Sequence, residues 1–404
     1  MFAYLLMISR IFSEQVEPLS AMIGALFIVL FLAAVALGKI RKLYTDYFFI
    51  KFMLVFLGVN LLWGLLSIHY YGWSNMAVEI AYELSKPLSL ICFYWLMRNE
   101  VLLRASRYSM LLMTITFIYA MIGFYSGLSV VSGIQLRASW PAAHHNYIGV
   151  TFAVLLMYVI FSEQQNKMFR LITASGLFIG LGATKSLSAL LLFATSIGLY
   201  YLFKRSLFRI AFMGGMTVLV FVVAGEFFWQ ERMIEFTENL QDFMFIWQTQ
   251  PEIFFGDSSK WRIVNWSLLF DQFEKRPILG WGTLSYMIVN PMRTFHGTLG
   301  GFHPHSEFLK WLVSFGLIGT IILLWTLLYH AARSVLHTYK DMPLINAVTL
   351  GSIVGTFFGS GFMYHPMMMI VIIMICDGIA VSQRATSEEV RLVETSSEPD
   401  ASPA

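Results

Sequence analysis

The chain has 404 residues, 57% of them hydrophobic and only 13% charged, about half the charged share of a soluble domain. With a mean hydropathy of +0.68 it has too little polar surface to cover itself, which excludes a water-soluble globule and makes lipid its expected solvent. The net charge of +3 is too small for a nucleic-acid binder, and two cysteines, Cys92 and Cys376, both inside apolar runs, exclude a disulfide framework.

A membrane-crossing helix needs about 20 mainly apolar residues. Met1–Phe12 is too short for a signal-peptide core and carries Arg10, so residues 1–20 read as an interfacial helix or part of a span. Apolar runs follow at 21–38, 46–67, 75–96, 108–128, 147–162, 168–183, 187–203, 208–225, 309–330, 345–363 and 366–383. Basic residues occupy alternate connections: Lys39, Arg41 and Lys42; Arg98, Arg104 and Arg107; Lys167 and Arg170; Lys204, Arg205 and Arg209; Arg333 and Lys340. By the positive-inside rule these connections are cytoplasmic. The expected fold class is therefore all-α, a polytopic transmembrane bundle of about 11–12 spans with one long, partly helical loop. Four regions follow: a bundle over 1–225, the loop over 226–308, further membrane helices over 309–383, and a Ser-, Glu- and Pro-rich tail over 384–404 that reads as disordered.

The opposite face, the periplasm in a bacterium, holds 68–74, 129–146, the turn 184–186, the long loop and the turn at His365. Arg137, His144, His145, Lys185, Arg262, His303, His305 and His365 all fall there. Other residues set the topology, so this agreement is informative. The long loop carries Phe227, Trp229, Trp247, Trp261, Trp266, Phe270 and Trp281 among others. Linkers lack aromatics, so it reads as a folded cap on the membrane surface. Residues 258–275 read as an amphipathic helix with Ser258 or Ser259 as cap and Trp261, Asn265, Leu268 and Leu269 at helical spacing. Pro277 lies beyond its end, and Gly280 and Gly282 turn the chain.

Four local patterns could carry chemistry. His303-Pro304-His305-Ser306-Glu307 ends the loop and opens a membrane helix. Pro304 suits the first helical turn and Glu307 the positive end of the helix dipole. That field disfavours protonation of a nearby histidine, leaving it neutral as a general base. The alternative is interfacial histidines bonded to loop carbonyls. A zinc site would need further ligands, which no Cys or close His cluster supplies. Secondly, Arg262 lies among Trp261 and Trp266, and its planar fork could hold a phosphate; it could equally snorkel over rings at headgroup level. Thirdly, Arg137 to Asn146 forms a loop ending in His144, His145 and Asn146. Lastly, Lys185 in Thr184-Lys185-Ser186-Leu187-Ser188 runs against the positive-inside trend, as an anion site or a lipid-phosphate contact. Glu79, Glu83 and Lys86 share a face of the third span, where Glu83 and Lys86 can pair.

Taken together, these residues resemble the bacterial O-antigen ligase and O-antigen polymerase superfamily of polytopic glycosyltransferases. The likeness lies in Arg262 to Trp266, in the Pro-aliphatic-Leu-Gly-aromatic-Gly turn Pro277 to Gly282, and in His305-Ser306 through Leu309, Gly316 and Gly319. Arg137 to Asn146 is similar to the family's upstream loop. One departure is Leu187, which stands where the family often has an Arg, with Lys185 nearby as a point charge. The resemblance implies an inner-membrane enzyme with its active site facing the periplasm and an undecaprenyl-pyrophosphate-linked glycan as donor. The acceptor would be lipid A-core in a ligase or a growing glycan in an O-antigen or exopolysaccharide polymerase. It implies Arg262 and His305 as catalytic residues, with Arg137, Lys185, His145, Asn146, His303 and Trp266 binding substrate, and no metal or cofactor. A transporter or flippase of lipid-linked glycan is the rival, and would place ionisable residues mid-span along a path.

Overall fold

The computed structural model describes residues 17–99, 145–161, 167–184, 186–204, 258–291, 306–338, 342–357, 368–376 and 378–379. Among these residues the secondary structure is helical and contains no strand. In chain order the helices are α1 (Glu17–Ala36), α2 (Phe48–Tyr71), α3 (Trp73–Arg98), α4 (His145–Phe161), α5 (Lys167–Ala183), α6 (Leu187–Phe203), α7 (Ser258–Lys275), the short α8 (Ser285–Val289), α9 (Glu307–Arg333) and α10 (Pro343–Phe357). A π-helical turn, Ser334–Thr338, extends α9, and residues 368–376 are again helical. The apolar runs read from the sequence over these residues coincide with α1 to α6, α9, α10 and 368–379, while the runs at 108–128 and 208–225 lie outside the described residues.

Two helices, Phe48–Tyr71 and Glu307–His337, are long and apolar enough to cross a membrane by length and composition, and shorter apolar helices accompany them. Their surfaces divide as a lipid-solvated bundle requires. Phe52, Phe56, Trp311 and Phe315 are buried together, with Trp311 6.1 and 6.0 Å from the Phe52 and Phe56 rings. On the outside, Leu61, Leu62, Leu65, Ile321, Trp325 and Leu328 are exposed. Exposed apolar side chains on both helices are what a lipid-facing surface would present.

The bundle is joined in sequence-near pairs, α2 with α3, α4 with α5 and α4 with α6, and in distant ones, α1 with α3, α2 with α9 and α6 with α10. α7 and α8 lie against α9. The end of the bundle that carries Tyr71, α7, α8 and Glu307 is termed the loop end below. At the other end, Asp46 accepts hydrogen bonds from Arg98 Nη2 (2.9 Å) and Tyr94 Oη (2.8 Å). Asn99 there binds the backbone of Arg41 and Lys42. The basic connection after α1 is thereby tied to the end of α3.

α9 is broken. At Gly316 the backbone takes φ 62° and ψ −166°, a region open essentially to glycine. The apolar run 309–330 reads as one uninterrupted span, but a helix cannot propagate hydrogen bonds through that conformation. Four backbone groups are released at depth, where each needs a partner.

Candidate functional site

The turn after α7 supplies those partners. Trp281 N donates to Val313 O (2.9 Å) and Gly282 N to Ser314 O (2.8 Å). In the other direction Leu317 N donates to Pro277 O (2.8 Å) and Ile318 N to Ile278 O (3.2 Å). Two carbonyls that end the first half of α9 and two amides that start the second are thus paired with one loop. The approach is backbone to backbone. A Cβ on Gly280 would lie 2.5 Å from Gly316 N, and one on Gly316 would strike the Ile278 carbonyl. Gly280 and Gly316 therefore need their missing side chains for the same contact.

α2 closes the other side of the turn. Trp63 Nε1 donates to Leu279 O (2.6 Å), Ser67 Oγ to Thr283 O (2.9 Å), and Thr283 Oγ1 to Asn60 O (2.9 Å). Trp281 Nε1 reaches back to the Gln272 carbonyl of α7 (2.8 Å). Leu284 then adopts φ 60° as it opens α8, an uncommon conformation for a bulky residue. Its side chain is buried in a small core with Met76, Ile80, Leu269, Tyr286, Leu309 and Val313.

α7 is set on this frame by one face. Asn265 and Leu269 are fully buried, and Asn290 Nδ2 donates to Asn265 Oδ1 at 2.6 Å. Arg262, one turn earlier, is half-buried, and Trp266 is 37% exposed. A spacing of four residues puts Arg262 and Trp266 on the same side of the helix, at the border between buried and open faces. The chemistry expected of Arg262 and Trp266 has a rigid mount here, because α7, α8 and the turn are hydrogen-bonded to one another and to α9.

The start of α9 differs in detail from the sequence reading. The helix begins at Glu307, and Ser306 is its cap, its Oγ accepting from Leu309 N at 3.4 Å. The serine hydroxyl satisfies a free amide of the first turn, and Pro304 lies outside the described residues. Glu307 is indeed in the first turn, but it is buried. Lys310 Nζ binds Glu83 Oε1 at 2.8 Å and lies 3.7 Å from Glu307 Oε2, while Lys86 Nζ binds Glu83 Oε2 at 2.6 Å. The pairing of Glu83 with Lys86 follows from their helical spacing. The bond from Glu83 to Lys310 crosses from α3 to α9 and had no local signal. Two carboxylates and two ammonium groups balance, which is how charge survives burial. Glu79 is exposed and stands outside this cluster.

His305 immediately precedes the Ser306 cap; His305, His303, Arg137 and Lys185 lie outside the described residues. His145 and Asn146 open α4, with their side chains also outside the description. The backbone nevertheless brings two of the sequence patterns together. A Cβ on Gly149, one turn into α4, would lie 2.9 Å from both Thr184 Oγ1 and Ser186 Cβ. The turn that carries Lys185 is therefore packed on the helix that His145 begins. Among the described residues no group of three His, Cys, Asp or Glu could hold a metal ion. The sequence reading missed Lys310 and Arg276 as site candidates. Arg276 Cζ lies 4.2 Å from both the Tyr70 and the Trp281 ring centroids, and its place before the Pro277 turn was the available clue.

Residues 172–324 match the family model described as O-antigen ligase. The match runs from α5 through the second half of α9, so it contains the Lys185 turn, Arg262, the Pro277 turn, His305, Gly316 and Gly319. No curated protein and no solved structure matches the chain.

Proposed function

From the match of residues 172–324 to the O-antigen ligase family model, we propose a polytopic enzyme of the bacterial inner membrane. It moves a glycan from undecaprenyl pyrophosphate to a periplasmic acceptor, by preference lipid A-core. The bundle has about 11–12 spans, with the loop end at the periplasmic surface. The observation that carries the reading is the joint one: a family match, and motifs of that match locked into a single frame by the Pro277–Gly282 turn across the Gly316 break.

In this mechanism Arg262, with Arg137 or Lys185, holds the donor pyrophosphate and stabilises its charge as it departs. His305 accepts the proton of the acceptor hydroxyl, the oxygen attacks the anomeric carbon, and the bond to the pyrophosphate oxygen breaks. Cations on the protein neutralise the leaving group, so the reaction proceeds without a metal. Trp266 stacks on a sugar face, and His303, His145 and Asn146 supply hydrogen bonds. A neighbouring reading within the same superfamily is polymerisation of O-antigen or exopolysaccharide, since ligase and polymerase share these motifs. A flippase is less well supported: among the described residues the charges Glu83, Lys86, Glu307 and Lys310 form one balanced cluster near the loop end instead of a path.

The test is the surface glycan profile of a deletion strain complemented with wild type or with His305→Ala. Rescue by wild type alone supports the transferase. Accumulated full-length lipid-linked polymer in the deletion means ligase, and accumulated single repeat units mean polymerase. Full rescue by His305→Ala at equal membrane abundance would remove the proposed base.

A further inference from the structure

Arg276 has an unusual setting. Its guanidinium lies over two rings, Tyr70 at the end of α2 and Trp281 in the turn, each 4.2 Å from Cζ. Among the described residues no carboxylate pairs with it. It is half-buried, while the residues around it are open and apolar: Ile278 is 61% exposed, Leu279 48% and Tyr70 38%.

Depth can be read from α2. The carbonyl of Leu279 is bound by Trp63, two helical turns before the end of α2 at Tyr71, or about 12 Å along the axis. α2 has 24 residues, about 36 Å at 1.5 Å per residue, so it exceeds a hydrocarbon core of about 30 Å by only about 6 Å. The tip of the turn is therefore below the lipid surface, and Arg276, level with Tyr70, is at it. Irregular backbone is tolerated at such depth only when its polar groups are paired, and here the backbone of Val313, Ser314, Leu317 and Ile318 and the Trp63 indole pair them.

We propose that Arg276 and the turn behind it form a seat for an anionic phospholipid of the leaflet at the loop end. The guanidinium takes the phosphate oxygens, the rings of Tyr70 and Trp281 hold its plane, and the acyl chains run along Ile278 and Leu279. A ligand that carries an anion directly above hydrocarbon fits this surface. Ile278 and Leu279, the exposed aliphatic side chains beside it, suit the acyl chains of a bilayer phospholipid, and a polyprenyl diphosphate is the competing outcome of the test. The proposal rests on the chain's placement in a membrane and not on the transfer chemistry.

The full-length protein, purified in detergent, would be titrated with phosphatidylglycerol or phosphatidylethanolamine and examined by native mass spectrometry. Wild type should retain phosphatidylglycerol in preference to phosphatidylethanolamine. Arg276→Gln should weaken phosphatidylglycerol retention about tenfold, the scale of a charge-assisted contact. Tyr70→Leu, which keeps the charge and removes one ring, should weaken it less, and it serves as the test should Arg276→Gln fail to fold. Arg276→Lys should rescue only in part, because an ammonium does not stack. Equal retention by wild type and both Arg276→Gln and Tyr70→Leu would overturn the proposal. So would displacement of phosphatidylglycerol from this position by a polyprenyl diphosphate, which would give the seat to the donor.

Discussion

Glycine lines two seams of this molecule, and the seams are built differently. Where α6 meets α10, a Cβ on Gly355 would lie 2.5 Å from the Leu192 Cβ, and one on Gly351 would strike Ser196. Those glycines let two continuous helices approach side by side, as small residues do in lipid. Where the Pro277 turn meets α9, Gly316 breaks the helix and exchanges four backbone hydrogen bonds with the turn. The first seam sets a distance, whereas the second replaces a piece of secondary structure. A site that must stay rigid under a reacting substrate gains more from the second kind, because paired backbone groups at depth have no alternative partner.

Substitution separates the two most clearly, and the largest effect belongs to Gly316→Ala. It forces a left-handed backbone on an L residue, pushes a Cβ into the Ile278 carbonyl and strains four hydrogen bonds. A loss of about 3–5 kcal/mol is expected, visible as a collapsed melting temperature in detergent and low membrane abundance. Gly351→Ala only overpacks a helix interface and should cost about 1–3 kcal/mol. If the two variants melt alike, the distinction between the seams is wrong.

Next in size is Lys310→Met. It leaves Glu83 and Glu307 buried with only Lys86 to answer them, and removal of one partner from a buried pair costs about 3–5 kcal/mol. Glu83→Gln combined with Lys310→Met should cost less than the sum of the two single changes, because the double variant leaves fewer buried charges unanswered. Additive losses in that cycle would mean that the two residues do not interact. Asn265→Ala follows at about 1–3 kcal/mol, the cost of removing the buried acceptor of the Asn290 amide. Its activity should fall further than its stability, since α7 carries Arg262.

What the sequence revealed follows from how each feature is encoded. The helix over 258–275 was legible because Ser258, the spacing of Asn265 and Leu269, and Pro277 are all local signals. The apolar runs were legible because hydrophobicity persists for a whole span. The break at Gly316 was not, since the residues on both sides are apolar and the two halves read as one. Its clue was Gly316 itself, together with a turn that needed a partner for its own backbone. Lys310 was equally hidden: its carboxylate partner Glu83 lies on another helix, and no local period reports so distant a pair. The Ser306 cap was a local signal that went unread, since a serine just before the first helical residue can accept from a first-turn amide.

The smallest predicted effect compares the two ends of the bundle. Asp46 is a third exposed, with 33% of its side chain accessible, whereas Glu83 is 4% accessible. Both carboxylates bind a cation and a second donor, so their contact geometry alone would rank them as equals. Their solvent does not. Asp46 faces water while its partner Arg98 is 8% accessible, so the pair is screened from one side, over about 8–10 Å at ordinary salt, and belongs at the upper end of the about 0–1 kcal/mol of surface pairs. Asp46→Asn keeps an oxygen for the Tyr94 hydroxyl and removes only the charge that Arg98 meets. Its cost should be under about 1 kcal/mol and should shrink further as salt is raised. The Lys310→Met deficit should persist under the same salt series, because ions cannot reach a buried cluster. A salt-insensitive Asp46→Asn deficit would show that the far end is sealed as tightly as the loop end, and that burial at the loop end is no special property of the site.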